Sequence, residues 1–394
     1  MRWETRPIFR ISFSVMSLFF GFCAPLPQAT LEAQQPRLTV SLTRYGWAPQ
    51  KSDSDRIFFR DFSVNKLVAL DLGTKLVFVS EDVLVVYSTV QKGSDWRTAS
   101  RQLEAYFIRA SDGTLLTKKT WPSTIRKDLS DADSESRIIA LENGRFLVDA
   151  DGRLLLYGSN LSLIRELKLE PFGPTELWGV QSVASGREIF LRHESAVFSD
   201  TNLRAVNYEW RDATTFRLIT SVIGDVDQGM GVRGAEDGAF IAWSSPSYSI
   251  FRPNQPPDKI CSNPICNRVT INAVVSSNYL VVSSFLDGIG VVDRQKGLLW
   301  FDTPSVEGSH KLAFGSVVAA STGNRFAIWI SASKKCTFDS VLIRSSALFL
   351  FDINNPRHIF EIPEHPGGGE FALSPRGKQL ATFDDQGLHF YDVL

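Results

Sequence analysis

The side chains best suited to chemistry are few and scattered. The five histidines, His193, His310, His358, His365 and His389, include no H-E-x-x-H pair and no two at metal-ligand spacing. A G-x-S-x-G nucleophile elbow is absent as well. His389 stands between Leu388 and Phe390 without a partner nearby in sequence, so it reads as a strand side chain touching a neighbouring sheet. His365, in the run from Pro363 to Gly369, reads as part of a solvated loop. Gly367-Gly368-Gly369 lacks the following helix and Lys-Ser/Thr of a phosphate cradle, and is expected to be a connection.

Two acidic groups have the composition of calcium ligands. Asp149, Asp151 and Gly152 open like a calcium loop, but Arg153-Leu154-Leu155 follows as a strand, which makes a hairpin turn the expected structure. Asp128, Asp131, Asp133 and Glu135 lie in a Ser-rich stretch where four carboxylates can gather calcium or simply be solvated. No cofactor is expected.

Cys261 and Cys266 bracket Ser-Asn-Pro-Ile, a tight loop able to close a small disulfide in an oxidising compartment. Free thiols or a metal-ligand pair are the alternatives, and Cys336 reads as a lone thiol. The compartment is suggested by the first residues. Arg2, Arg6 and Arg10 precede an apolar run from Ile11 to Phe22, then come Pro25, Pro27 and the small residues Ala29 and Ala33. This is the order of a secretory signal, too short in its apolar centre to span a bilayer comfortably. Residues 1–33 are therefore expected to be removed, leaving a secreted or periplasmic chain of residues 34–394 with no membrane span. Cys23 raises a lipoprotein alternative, against which Phe22 stands where a small residue is usual.

The elements that must carry these residues are strands. Phe is abundant (28) and Met scarce (3), and helical periodicity is almost absent. The hydrophobic share of 43% is ordinary for a globular chain, and 42 basic against 43 acidic residues without a basic block argue against a nucleic-acid surface. Short apolar runs recur with turn residues between them: Arg137–Leu141, Asn143-Gly144, Arg145–Asp149, Asp151-Gly152, Arg153–Tyr157, then Leu163–Leu169. Further groups of four begin at Trp178, Arg217, Val269 and Leu312. The last group, from Gly369, has three strands, and Leu38–Leu42 near the start is an unassigned fourth.

Ala372-Leu-Ser-Pro-Arg-Gly-Lys-Gln-Leu-Ala-Thr382 resembles the repeat of secreted bacterial WD40-like β-propellers. Val291-Val-Asp-Arg-Gln-Lys-Gly-Leu-Leu-Trp300 and Ile108-Arg-Ala-Ser-Asp-Gly-Thr-Leu-Leu116 resemble the D-x-x-x-G-x-x-x-W turn of quinoprotein-like propellers. The resemblance implies an all-β chain folded as one β-propeller of four-stranded antiparallel blades; counting the groups gives seven blades, with six or eight as alternatives, closed by the N-terminal strand completing the last blade. Spread over residues 34–394, each blade has about 50 residues, more than a WD repeat of about 40–45, so long loops are expected. The nine Trp are expected to pack between blades rather than hold a quinone. The function implied is a non-catalytic scaffold binding a protein or glycan partner at a propeller face. The alternative is a propeller enzyme, of lactonase, glycan-cleaving or quinoprotein type, with its site in the central channel.

Overall fold

The computed structural model describes residues 35–47, 58–61, 66–69, 74–92, 100–123, 137–150, 152–169, 176–182, 186–198, 204–226, 231–234, 240–244, 247–251, 258–259, 270–275, 279–284, 288–293, 295–302, 311–335, 342–363, 370–384 and 386–393. These are strands and turns, with two short 3₁₀ turns at Leu42–Tyr45 and Glu142–Gly144 and no α-helix among the described residues.

Strand β1 (Leu38–Val40) comes first, followed by a separate two-stranded hairpin, β2 (Phe58–Asp61) and β3 (Lys66–Ala69). Blade one is β4 (Lys75–Phe78), β5 (Val83–Lys92), β6 (Ser100–Arg109) and β7 (Leu115–Ser123). Blade two is β8 (Arg137–Ala140), β9 (Phe146–Ala150), β10 (Arg153–Tyr157) and β11 (Leu163–Lys168). Blade three is β12 (Glu176–Ser182), β13 (Glu188–Phe198), β14 (Arg204–Asp212) and β15 (Leu218–Val226). Blade four is β16 (Gly231–Gly234), β17 (Phe240–Ser244), β18 (Ser247–Phe251) and β19 (Asp258–Lys259). Blade five is β20 (Thr270–Val275), β21 (Tyr279–Ser284), β22 (Gly288–Asp293) and β23 (Gly297–Asp302). Blade six is β24 (Lys311–Ala319), β25 (Arg325–Lys335), β26 (Leu342–Asp352) and β27 (Asn355–Pro363).

Six blades are thus contiguous in sequence. One more four-stranded sheet is composite: β28 (Glu370–Leu373), β29 (Gln379–Asp384) and β30 (Gly387–Asp392) are joined by β1, which pairs antiparallel with β30 through Leu38↔Phe390, Thr39↔His389 and Val40↔Leu388. The added strand is shorter than the run Leu38–Leu42, because the chain turns into the 3₁₀ segment at Leu42, closed by Gly46 at φ 78°.

Most blades carry apolar residues on both faces, since each is sandwiched between two others. A strand has a side-chain period of two, so alternate residues feed alternate inter-blade cores. Leu84 and Val86 join the core shared with the composite sheet, while Val85 and Tyr87 join the core shared with blade two. In blade six, Phe349 and Phe351 face blade five, and Leu348 and Leu350 face the composite sheet. This explains continuous apolar runs where a one-sided sheet would alternate.

Blades three and four differ from the groups of four that begin at Trp178 and Arg217. Glu188–Phe198 is one strand, although Glu194 and Ser195 interrupt its apolar pattern; the ladder continues through an irregularity between Glu194 and Phe198. Consequently Leu218–Val226 completes blade three, and the two-residue β19 completes blade four. Two of the described tryptophans bridge sheets. Trp121 Nε1 donates to Tyr157 Oη (2.9 Å) between blades one and two, and Trp300 Nε1 donates to the Ile353 carbonyl (2.6 Å) between blades five and six.

Candidate functional site

Alternation of strand direction fixes what emerges at each end of the blades. Connections between second and third strands, and from a fourth strand to the next blade, all leave at the end where the innermost strands begin. The strand ends that flank residues 93–99, 124–136, 260–269, 303–310 and 364–369 lie at this upper end; the residues between them lie outside the described residues. The lower end is built from short turns such as 110–114, 158–162 and 374–378.

The innermost strands pack side by side from β20 to β24, β28, β4, β8, β12 and β16. Their first residues, at the upper mouth, are Thr270, Lys311, Glu370, Lys75, Arg137, Glu176 and Gly231. Five of these seven are ionisable. Lys75 Nζ and Glu370 Oε1 form an ion pair at 2.5 Å across the junction of blade one and the composite sheet. Arg137 stands directly opposite Asp149 of β9 in the β8–β9 ladder. Burial against the ring pushes the Asp149 carboxyl up to about 6, and the Arg137 guanidinium opposes this only in part. Some solvent still reaches Asp149, whose accessibility is intermediate. An acid changing protonation near pH 6 beside a fixed cation can exchange a proton with a ligand or bind one that is itself protonated. Among the described residues, no group of three or more His, Cys, Asp or Glu is placed to hold a metal ion.

His389 is buried, but its partners belong to its own sheet rather than to a neighbouring one. Its Nε2–H donates to Asp384 Oδ1 (2.9 Å), and Nδ1 shares a hydrogen bond with Thr39 Oγ1 (3.1 Å). Sequence reasoning lacked the Thr39 partner because it lies 350 residues away. Burial opposes ionisation of Asp384, yet the His389 hydrogen bond and charge, with the amides of Gln386 and Gly387, hold it below the ordinary aspartate range. His358 lies on the outer strand β27, 3.3 Å from Glu361 and edge-on to Phe349. His193 lies within β13, opposite Trp178 and Asn207.

Asp149 is the penultimate residue of β9, and Gly152, at φ 69°, sits in the turn of a regular β9–β10 hairpin, as expected for that pair of runs. Cys23, Cys261, Cys266, Cys336, His310, His365, Asp128, Asp131, Asp133, Glu135, Asp151 and Gly367–Gly369 lie outside the described residues. The charges at the innermost strand starts went unrecognised in sequence. Their signal is present: a charged residue recurs just after a long connection, visible once blades are aligned on their first strands.

Strand order and blade packing define the class: a single all-β propeller of four-stranded antiparallel sheets. Among solved structures it is similar to the uncomplexed acylaminoacyl peptidase of Pyrococcus horikoshii, at a TM-score of 0.51 and 6% identity, over 82% of this chain and 52% of that one. The chain therefore spans about half the length of that protein, and at this identity the likeness is one of fold. No family model and no curated protein matches the sequence.

Proposed function

We propose that the chain is an exported, non-catalytic propeller that presents its upper face to a protein or glycan partner. The observation that carries this reading is that the longest intervals between the contiguous blades, 124–136 and 260–269, join strand ends at the end of the blades where the charged starts of β4, β8 and β28 lie. On this reading the composite sheet is the seventh blade of a closed ring, and residues 34–394 form one domain of WD40-like or quinoprotein-like character. Residues 1–33 direct export to the periplasm or beyond and are then removed.

A photo-crosslinking amino acid tests the reading. Placed at the upper-end positions Gln386 or Asp302, it is expected to capture one discrete partner in the native host, and at the lower-end positions Asn160 or Asn354 to capture none. Capture only from the lower end would overturn it. Maturation is checked by mass spectrometry of the recovered protein, which should begin near Gln34; a chain beginning at Met1 would contradict export.

A second reading, a propeller enzyme with its site in the central channel, draws support from Asp149, whose carboxyl is pushed up to about 6 by burial opposite Arg137. The structural neighbour is by name a peptidase. Hydrolysis of a peptide, lactone or glycan panel that is abolished by Asp149→Asn would favour this reading over the first.

A further inference from the structure

At the lower end, between blade six and the composite sheet, lies a cavity of about 410 Å³ lined by Asn324, Arg325, Asp352, Arg376, Lys378 and Val393. Its walls are two turns locked together. Thr322 N and Gly323 N donate to the Pro375 carbonyl (2.9 and 3.1 Å). Gly323 permits this approach, since a Cβ there would stand 2.6 Å from the Arg376 carbonyl. Arg325 Nη1 donates to the carbonyls of Gly377 (2.9 Å) and Val393 (3.3 Å), which fixes its guanidinium in the wall, and Arg325 stands opposite Asp352 in the β25–β26 ladder.

Three cations and one carboxylate line the space, a net charge of +2. Asp352 turns Oδ1 toward the backbone and side-chain amides of Asn354 (2.9 and 3.2 Å). Glu81, the other nearby acid, reaches the turn from blade one, where it accepts from Ser374 Oγ and Arg376 N. Among the described residues the Arg376 guanidinium and Lys378 ammonium make no hydrogen bond or ion pair. A locked guanidinium with two uncommitted cations around a small cavity is a receptor geometry for an oxyanion.

We infer that this cavity binds a small, multiply charged oxyanion, of the phosphate or polycarboxylate class, at the end of the ring opposite the proposed partner face. The test is titration calorimetry and thermal shift on the mature protein with inorganic phosphate and with citrate, against chloride at matched ionic strength. Saturable binding of either ion in the millimolar range or tighter supports the inference, and which of them binds assigns the class. Arg376→Ala with Lys378→Ala, both at exposed positions, should weaken binding at least about tenfold while the far-ultraviolet spectrum is retained. Asp352→Asn, which removes the one opposing charge, should tighten it. Absence of saturable binding beyond chloride, or binding unchanged in the double variant, would overturn the site; the latter would mean that the cations serve another part of the chain.

Discussion

Thr39 Oγ1 and His389 Nδ1 meet at 3.1 Å, so a side-chain hydrogen bond joins residues 350 positions apart. It is one of several ties that the N-terminal segment makes. Arg37 pairs with Asp392 of the same sheet (3.0 Å) and donates to the carbonyls of Ala110 and Ser111 in blade one. Tyr45 Oη donates to the Gly113 carbonyl (2.7 Å). The segment is therefore a clamp across the junction of blade one and the composite sheet as well as a strand.

Deleting residues 34–44 should lower stability sharply or prevent soluble expression. Val40 and Leu42 are buried and Leu38 packs against the same core, together worth roughly 5–8 kcal/mol at most, similar to the net stability of a domain. An equal deletion within 124–136 is the control and should do little. Identical urea midpoints for parent and N-terminal deletion would mean that β1 does not close the sheet.

Gly113→Ala should destabilise by about 1–3 kcal/mol. The backbone there has φ 71°, and a Cβ would stand 2.4 Å from Val40 Cγ2. The loss should shrink when Val40→Ala is added, a coupling that a double-mutant cycle in urea measures.

The Asp384 carboxylate is held below its ordinary value of 3.8 by His389 and two amides despite its burial. Its contribution is present above pH 3.8 and is lost as pH falls through the lower folded-state value. Asp384→Asn should be less stable than the parent at neutral pH, and the difference should narrow in acid titrations. A constant difference at all pH values would assign the loss to packing alone.

Asp149 gives the opposite slope. Its folded value of about 6 lies above the ordinary 3.8, so its contribution is full below pH 3.8 and is lost as pH rises through about 6. Asp149→Asn should flatten stability across that window and exceed the parent by about 1–3 kcal/mol at neutral pH. A variant weaker than the parent there would show that attraction to Arg137 outweighs burial.

Removal of residues 1–33 would leave Cys261, Cys266 and Cys336. Thiol titration of denatured, unreduced protein made in an oxidising compartment should find one free thiol, with the first two paired. Three free thiols would show the short loop to be reduced.

Much of the architecture was legible because turn chemistry is local. Asn143 and Gly144 take φ 58° and 72°, as their dipeptide demands, and Asp293 caps the amides of Gln295 and Lys296 within its own turn. Blades two, five and six could be bounded from such signals. Blades three and four could not, because β13 carries polar residues mid-strand and β19 has only two residues. The site was less legible still. Lys75–Glu370 and Thr39–His389 are distant in sequence, and the Arg137–Asp149 pair gains meaning only from burial that the whole ring provides.

The composite sheet also imposes an order of events. Residues 38–40 are synthesised hundreds of residues before their partners at 388–390, so no partial chain can complete that sheet. Until Asp392 emerges, β1 is a bare edge, and Val40 and Leu42 lack the side chains of β28–β30 that help cover them. Closure is then a race between the chain's own β30 and that of a neighbouring copy, whose pairing with β1 would be chemically identical. A slow or crowded exit favours the neighbour, and the product would be a strand-exchanged dimer with every blade intact.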